Sequence, residues 1–182
     1  MTGAPDRLGL AIVLGWAGQA VTGLWAGPGV ALGLGLAVAV LTLLARRAWP
    51  LVWLMALMSP LGVMLPALAL RQVAAGWGVP VAAFGTSELA VFLVAYMGFL
   101  ASAMAVVPVD IYRLGYAPVP VGGMVLAVCG YGLWSGSLFL PMVAVLGQAL
   151  WVARRGSSNW FDHVLHVGLV PVAVAGLVLR VF

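Results

Sequence analysis

The sequence has no lysine, one cysteine, two histidines and four acidic residues in 182 positions. Each shortage closes off some chemistry. Without lysine there is no retinal Schiff base and no phosphate-binding P-loop. A lone Cys129 excludes an intrachain disulfide and a cysteine-based metal cluster, and within its apolar run it reads as a small buried hydrophobe. All eight basic residues are arginine, placed singly or in pairs between apolar runs, so the net charge of +4 offers no clustered face for nucleic acid. Trp134-Ser135-Gly136 lacks the leading glycine of a serine nucleophile turn. No two of the acids are spaced as an intramembrane pair.

What is abundant is apolar surface. Hydrophobic residues make up 65% of the chain and charged ones 7%, against about 45–50% and about 25% in soluble domains. A soluble chain this short buries only about 70% of its area, so lipid must cover the rest. The expectation is a single all-α integral membrane domain.

A bilayer core needs roughly 17–25 apolar residues per helix. Proline, glycine and arginine divide the chain into seven apolar runs, some of them shorter than this: Leu8 to Trp25, Gly29 to Leu44, Trp49 to Leu70, Ser87 to Val107, Val121 to Trp134, Leu138 to Ala153 and Asp162 to Leu179. Arg7 before the first run resembles a signal peptide, but apolar character resumes after Gly27-Pro28, so the first run reads as an uncleaved span. Runs five and six are short and thinly separated by Ser135-Gly136-Ser137, and joining them would give six spans. Seven spans place Arg7, Arg46, Arg47, Arg113, Arg154 and Arg155 on one side and Arg71 and Arg180 on the other. The positive-inside rule then sets the N-terminus in the cytoplasm and the C-terminus outside, in a cell membrane read as a bacterial inner membrane. Joining runs five and six would move Arg154 and Arg155 across and weaken that bias. Trp25, Trp49, Trp134, Trp151 and Trp160 fall at run ends, where indole rings favour the headgroup level.

Gly23-Leu24-Trp25-Ala26-Gly27 recurs as Gly132-Leu133-Trp134-Ser135-Gly136, and each copy is followed by Ala-Arg-Arg, at Ala45-Arg46-Arg47 and Ala153-Arg154-Arg155. The copies lie four spans apart and share orientation. This spacing suggests a three-plus-one-plus-three parallel pseudo-repeat, a layout some small transporters use. Pro60, Pro66 and Pro171 predict kinks or unwound turns in runs three and seven, and Gly29-x-x-x-Gly33 predicts close helix approach.

Ionisable groups within a span are costly and default to functional candidates. Asp162, His163 and His166 form the densest cluster: on one continuous helix Asp162 and His166 share a face, and His163 is next to His166. Such a set could donate metal ligands, pass a proton or hold a porphyrin iron, so metal and cofactor stay open. The structural alternative is a helix capped by Ser158 or Asn159 with the acid at the interface. Glu88, after Thr86-Ser87, reads either as an acid in a hydroxyl-capped first turn or as a cation or proton site beside Arg71. Asp110 and Arg113 form an i, i+3 pair suited to a loop ion pair or a lipid headgroup. Gln19 and Gln148 are mid-span amides that need partners, either lining a solute path or holding helices together.

Three functions fit. One is a small transporter or permease-like protein using Gln19, Gln148, Glu88 and His166. Another is a non-catalytic subunit or assembly factor that joins other membrane subunits through apolar faces. The third is an enzyme acting on a lipid or isoprenoid through Asp110, Glu88 or the Asp162/His166 pair. The lean is away from catalysis, and the lipid bilayer is the one partner all three share.

Overall fold

The computed structural model describes residues 4–45 and 47–180, so Arg46 lies outside the described residues. Of these residues 73% are helical and none is in a strand, as expected for an all-α chain. Among the described residues nine α-helices follow in order: α1 Ala4–Thr22, α2 Pro28–Leu44, α3 Trp49–Met58, α4 Met64–Gly76, α5 Thr86–Ala103, α6 Pro118–Ser135, α7 Phe139–Val152, α8 Trp160–Val164 and α9 Leu169–Val178. A short 3₁₀ helix, Tyr112–Tyr116, stands between α5 and α6.

Every predicted run coincides with helix, but two are broken. Run three divides into α3 and α4, and run seven into α8 and α9. The cause is local. Proline disfavours helical backbone in the residue before it, and Ser59 before Pro60 is extended at φ −93°, ψ 135°. Gly62 then takes φ +65°, a left-handed conformation open to glycine. In run seven Leu165 is extended at φ −103°, ψ 154°. Both helices restart with proline as their third residue, Pro66 in α4 and Pro171 in α9, where a missing N–H costs nothing.

Helix length supports part of the expected set of spans. Among the described residues two helices, α5 and α6, are long and apolar enough to cross a membrane alone, and the count reaches three if α2 and α3 form one bent span. α7 has 14 residues and reaches about 21 Å at 1.5 Å per residue, short of a core of about 30 Å. Runs five and six are separate helices, not one: Gly136 closes α6 in the left-handed conformation at φ +69°. The chain then turns back, so that a Cβ at Gly132 would lie 2.2 Å from Pro141 Cγ.

α1 and α2 form a tight hairpin. A Cβ on Gly35 would sit 2.7 Å from the Gly15 carbonyl oxygen, and one on Gly15 would sit 2.9 Å from Ala39 Cβ. The predicted Gly29/Gly33 pair is not the contact: a Cβ at either meets nothing within 4 Å. The core gathers Leu10, Leu61, Met64, Leu65, Tyr96, Val121, Val143, Phe161 and Leu169 around α8. Of the tryptophans at run ends, Trp25, Trp49 and Trp134 are exposed. Trp160 departs from them: it is 5% exposed and packs edge-on to Phe161 in that core.

Candidate functional site

Polar side chains gather at two places, one where α8 meets the 3₁₀ helix and one where α5 begins. Asp162 anchors the first. The Tyr112 hydroxyl lies 2.9 and 2.8 Å from its two carboxylate oxygens and donates to them. The Ser157 hydroxyl donates to Asp162 Oδ2 at 2.5 Å. Asn159 is completely buried and uses its whole side chain. Its Oδ1 accepts from the Phe161 N–H at 2.9 Å, which caps α8, and its Nδ2 donates to the Tyr112 carbonyl at 2.8 Å. His163 Nε2 donates to the Ser157 carbonyl at 2.9 Å. Burial first, and the hydrogen bond to Asp162 second, push the Tyr112 phenol well above the ordinary tyrosine range.

The expected convergence of Asp162, His163 and His166 does not form. α8 ends at Val164, so His166 leaves the helix and loses its i, i+4 relation to Asp162. His166 Nδ1 instead accepts the Gly168 N–H at 3.0 Å, which leaves Nε2 to carry the proton of the neutral ring. Among the described residues no group of three or more His, Cys, Asp or Glu is placed to hold a metal ion. Of the two proposed caps, Asn159 is the one that serves.

Glu88 anchors the second cluster. Its Oε2 accepts the Gly85 N–H at 2.6 Å, so the acid caps α5 from the third position and the cap residue is Gly85, not a hydroxyl. Its Oε1 accepts from the Tyr131 hydroxyl at the end of α6. Arg71 and Arg180 both act electrostatically on Glu88. Arg180 donates to Thr86 Oγ1 at 3.2 Å and to the Phe84 carbonyl. Arg71 stacks over Phe84 at 4.1 Å and Phe139 at 4.9 Å, and its Nη1 is buried without a hydrogen-bond partner.

The remaining candidates stand apart. Asp110 accepts the Arg113 backbone N–H at 3.0 Å, so this pair is joined through a backbone cap of the 3₁₀ helix. Gln19 lies in the α1/α2 seam, its Cβ 2.9 Å from a Cβ built on Gly35. Gln148 on α7 holds a buried Oε1 with no partner. Residue patterns missed Ser102, a buried hydroxyl that donates to the Val109 carbonyl at 2.6 Å and accepts the Ile111 N–H at 2.8 Å. They also missed Tyr112, 50 positions from Asp162.

Between the clusters the two broken runs touch at their breaks. The Val63 N–H donates to the His163 carbonyl at 2.7 Å. A Cβ at Gly62 would lie 2.8 Å from the Leu165 carbonyl oxygen and 2.9 Å from that of Val164, and one at Gly168 would lie 3.2 Å from Leu65 Cδ1. No protein family, curated protein or solved structure matches the chain.

Proposed function

We propose that this chain is a small multi-pass transporter or permease-like protein that moves an ion or small solute. Its seven spans are α1, α2, α3 with α4, α5, α6, α7, and α8 with α9. The observation that carries this reading is the meeting of the two breaks. Discontinuous spans at corresponding places of two repeated halves are the best pointer to a transport site. Here each half has a helical hairpin with Gly-Leu-Trp at the end of or just after its first helix, then arginine, then a break, then a helix with proline as its third residue. The halves flank α5 in a three-plus-one-plus-three order. His166 sits in one break, and rearrangement there would pass through Gly62 and Gly168.

The orientation belongs to the same proposal. Arg71 and Arg180, the minority arginines, converge on Glu88. Arg113 sits on the 3₁₀ helix that packs against α8, just beyond Arg154 and Arg155. This separation supports a cytoplasmic N-terminus and an external C-terminus in a bacterial inner membrane.

The test is flux in proteoliposomes over a panel of ions and small solutes. Wild type should move at least one, and Gly62→Ala, which pushes a methyl against the opposite backbone, should abolish that flux. Gly33→Ala, built into open space, should leave it unchanged. Absence of any flux sensitive to Gly62 or His166 rejects transport, and a C-terminal reporter found in the cytoplasm rejects the seven-span orientation.

One observation favours a second reading, a non-catalytic subunit or assembly factor. A Cβ at Gly29, Gly33, Gly122, Gly123 or Gly130 meets nothing within 4 Å, so these small residues on α2 and α6 leave room for helices of other membrane subunits. A lipid enzyme acting through Asp110, Glu88 or the Asp162/His166 pair is less favoured, because Asp162 and His166 do not converge and the three acids each accept protein hydrogen bonds.

A further inference from the structure

We infer that the Glu88 end of the bundle holds a site for a single oxyanion, with Arg71 Nη1 as its principal donor and Arg180 beside it. The inference rests on hydrogen-bond accounting around Arg71 and stands whether or not the chain transports anything.

A guanidinium carries its N–H groups in one plane. Arg71 places that plane over two rings, Phe84 and Phe139, which stand edge to face with centroids 5.7 Å apart. The rings stabilise the charge and accept no in-plane hydrogen bond. Nη1 is buried and unpartnered, and a buried donor left unmade on a charged group is expensive. Glu88 is the acid that acts on Arg71, yet its two oxygens accept from Gly85 N–H and Tyr131 O–H, and Arg71 Nη1 makes no hydrogen bond to either. Arg180 is bound to neutral acceptors, Thr86 Oγ1 and the Phe84 carbonyl. Two cations therefore share one acid, and the cation with the buried donor lacks an oxygen. A phosphate or carboxylate oxygen matches that deficit in charge and as a hydrogen-bond acceptor. The anion is either a soluble one or the phosphodiester of a lipid headgroup, since the site lies where α4 and α9 end and α5 begins.

The experiment uses the full chain in phosphatidylcholine nanodiscs. In one arm inorganic phosphate is titrated at constant ionic strength. In the other, discs containing phosphatidylglycerol are examined by native mass spectrometry for retained anionic lipid. One arm should saturate at one oxyanion per chain, and that arm identifies the source. Arg71→Gln should weaken binding at least about tenfold, the scale of one charge-assisted hydrogen bond. Arg154→Gln, outside both polar clusters, should leave it unchanged. If Arg71→Gln does not give a monodisperse particle, Arg180→Gln replaces it and should weaken binding severalfold. No saturable binding in either arm, or equal binding by the Arg71 (or Arg180) and Arg154 variants, overturns the site.

Discussion

The two polar clusters use the same pair of groups, a carboxylate accepting from a tyrosine, yet they are built differently. At the Asp162 cluster Tyr112, Ser157, Asn159 and His163 each donate to an acceptor and tie the 3₁₀ helix, α8 and the loop before it into one network, while the buried Trp160 Nε1 of α8 has no partner. At the Glu88 cluster the acid accepts two hydrogen bonds where Asp162 accepts three, and two arginines face it, one with a buried donor unpaired. A closed network resists change, because moving any member strands a buried polar group. An incomplete one accepts a ligand at little cost. The first cluster therefore reads as a fixed point that holds one broken span, and the second as the end that meets what lies outside the chain.

The largest effect expected from breaking this contrast is at Gly115. A Cβ there would lie 2.0 Å from Asn159 Oδ1 and 2.7 Å from Phe161 Cδ2, so Gly115→Ala must displace both the cap of α8 and a core ring. Overpacking of this kind costs about 1–3 kcal/mol, and loss of the Asn159 bonds adds about 1 kcal/mol. Unfolding followed in detergent should show a loss near the upper end of that range. A variant with wild-type stability would mean the cluster is not closed as described.

The next effect compares the two acids directly. Asp162→Ala strands the Tyr112 and Ser157 hydroxyls and should destabilise by about 2–3 kcal/mol. Glu88→Ala removes one cap and one interhelical bond on a partly exposed helix start and should cost about 1 kcal/mol. The same unfolding measurement ranks them, and a larger loss at Glu88 would reverse the assignment of fixed and open ends.

What the residue pattern revealed depended on whether the cause was local. Helix positions followed from proline, glycine and arginine punctuation, and the end of α6 at Gly136 resolves runs five and six into separate helices. The break in run three had its signals in Pro60, Gly62 and Pro66. The break in run seven is signalled only by Pro171, five residues beyond His166, so the pattern alone keeps His166 on the face of Asp162. The four non-helical residues after Val164, Leu165 to Gly168, undo that geometry. The Tyr112–Asp162 and Glu88–Tyr131 bonds join residues 50 and 43 positions apart, and a single tyrosine in an apolar chain carries no mark of its partner. Trp160 followed the interfacial rule for tryptophan on position alone, whereas the packing of α8 draws it into the core.

The smallest effect is one of pH, and it separates burial from the carboxylate at the closed cluster. Tyr112 is protonated in its hydrogen bond to Asp162, and its folded value lies above the unfolded tyrosine value of about 10. A raised folded value means that the phenol stabilises the fold fully below pH about 10, and that this contribution is lost as pH rises through the folded value. Tyrosinate absorbance, compared with that of Tyr112→Phe, should therefore show a Tyr112 component that ionises later than the ordinary range. Burial is the larger cause and Asp162 the smaller. Asp162→Asn should thus lower the transition only part of the way, because the ring stays buried against Phe99 and Phe161 while the negative charge is gone. A full return to the ordinary value would make the carboxylate the dominant cause. An unchanged transition would mean that Asp162 does not hold the Tyr112 proton, and the contrast between the two ends would lose its anchor.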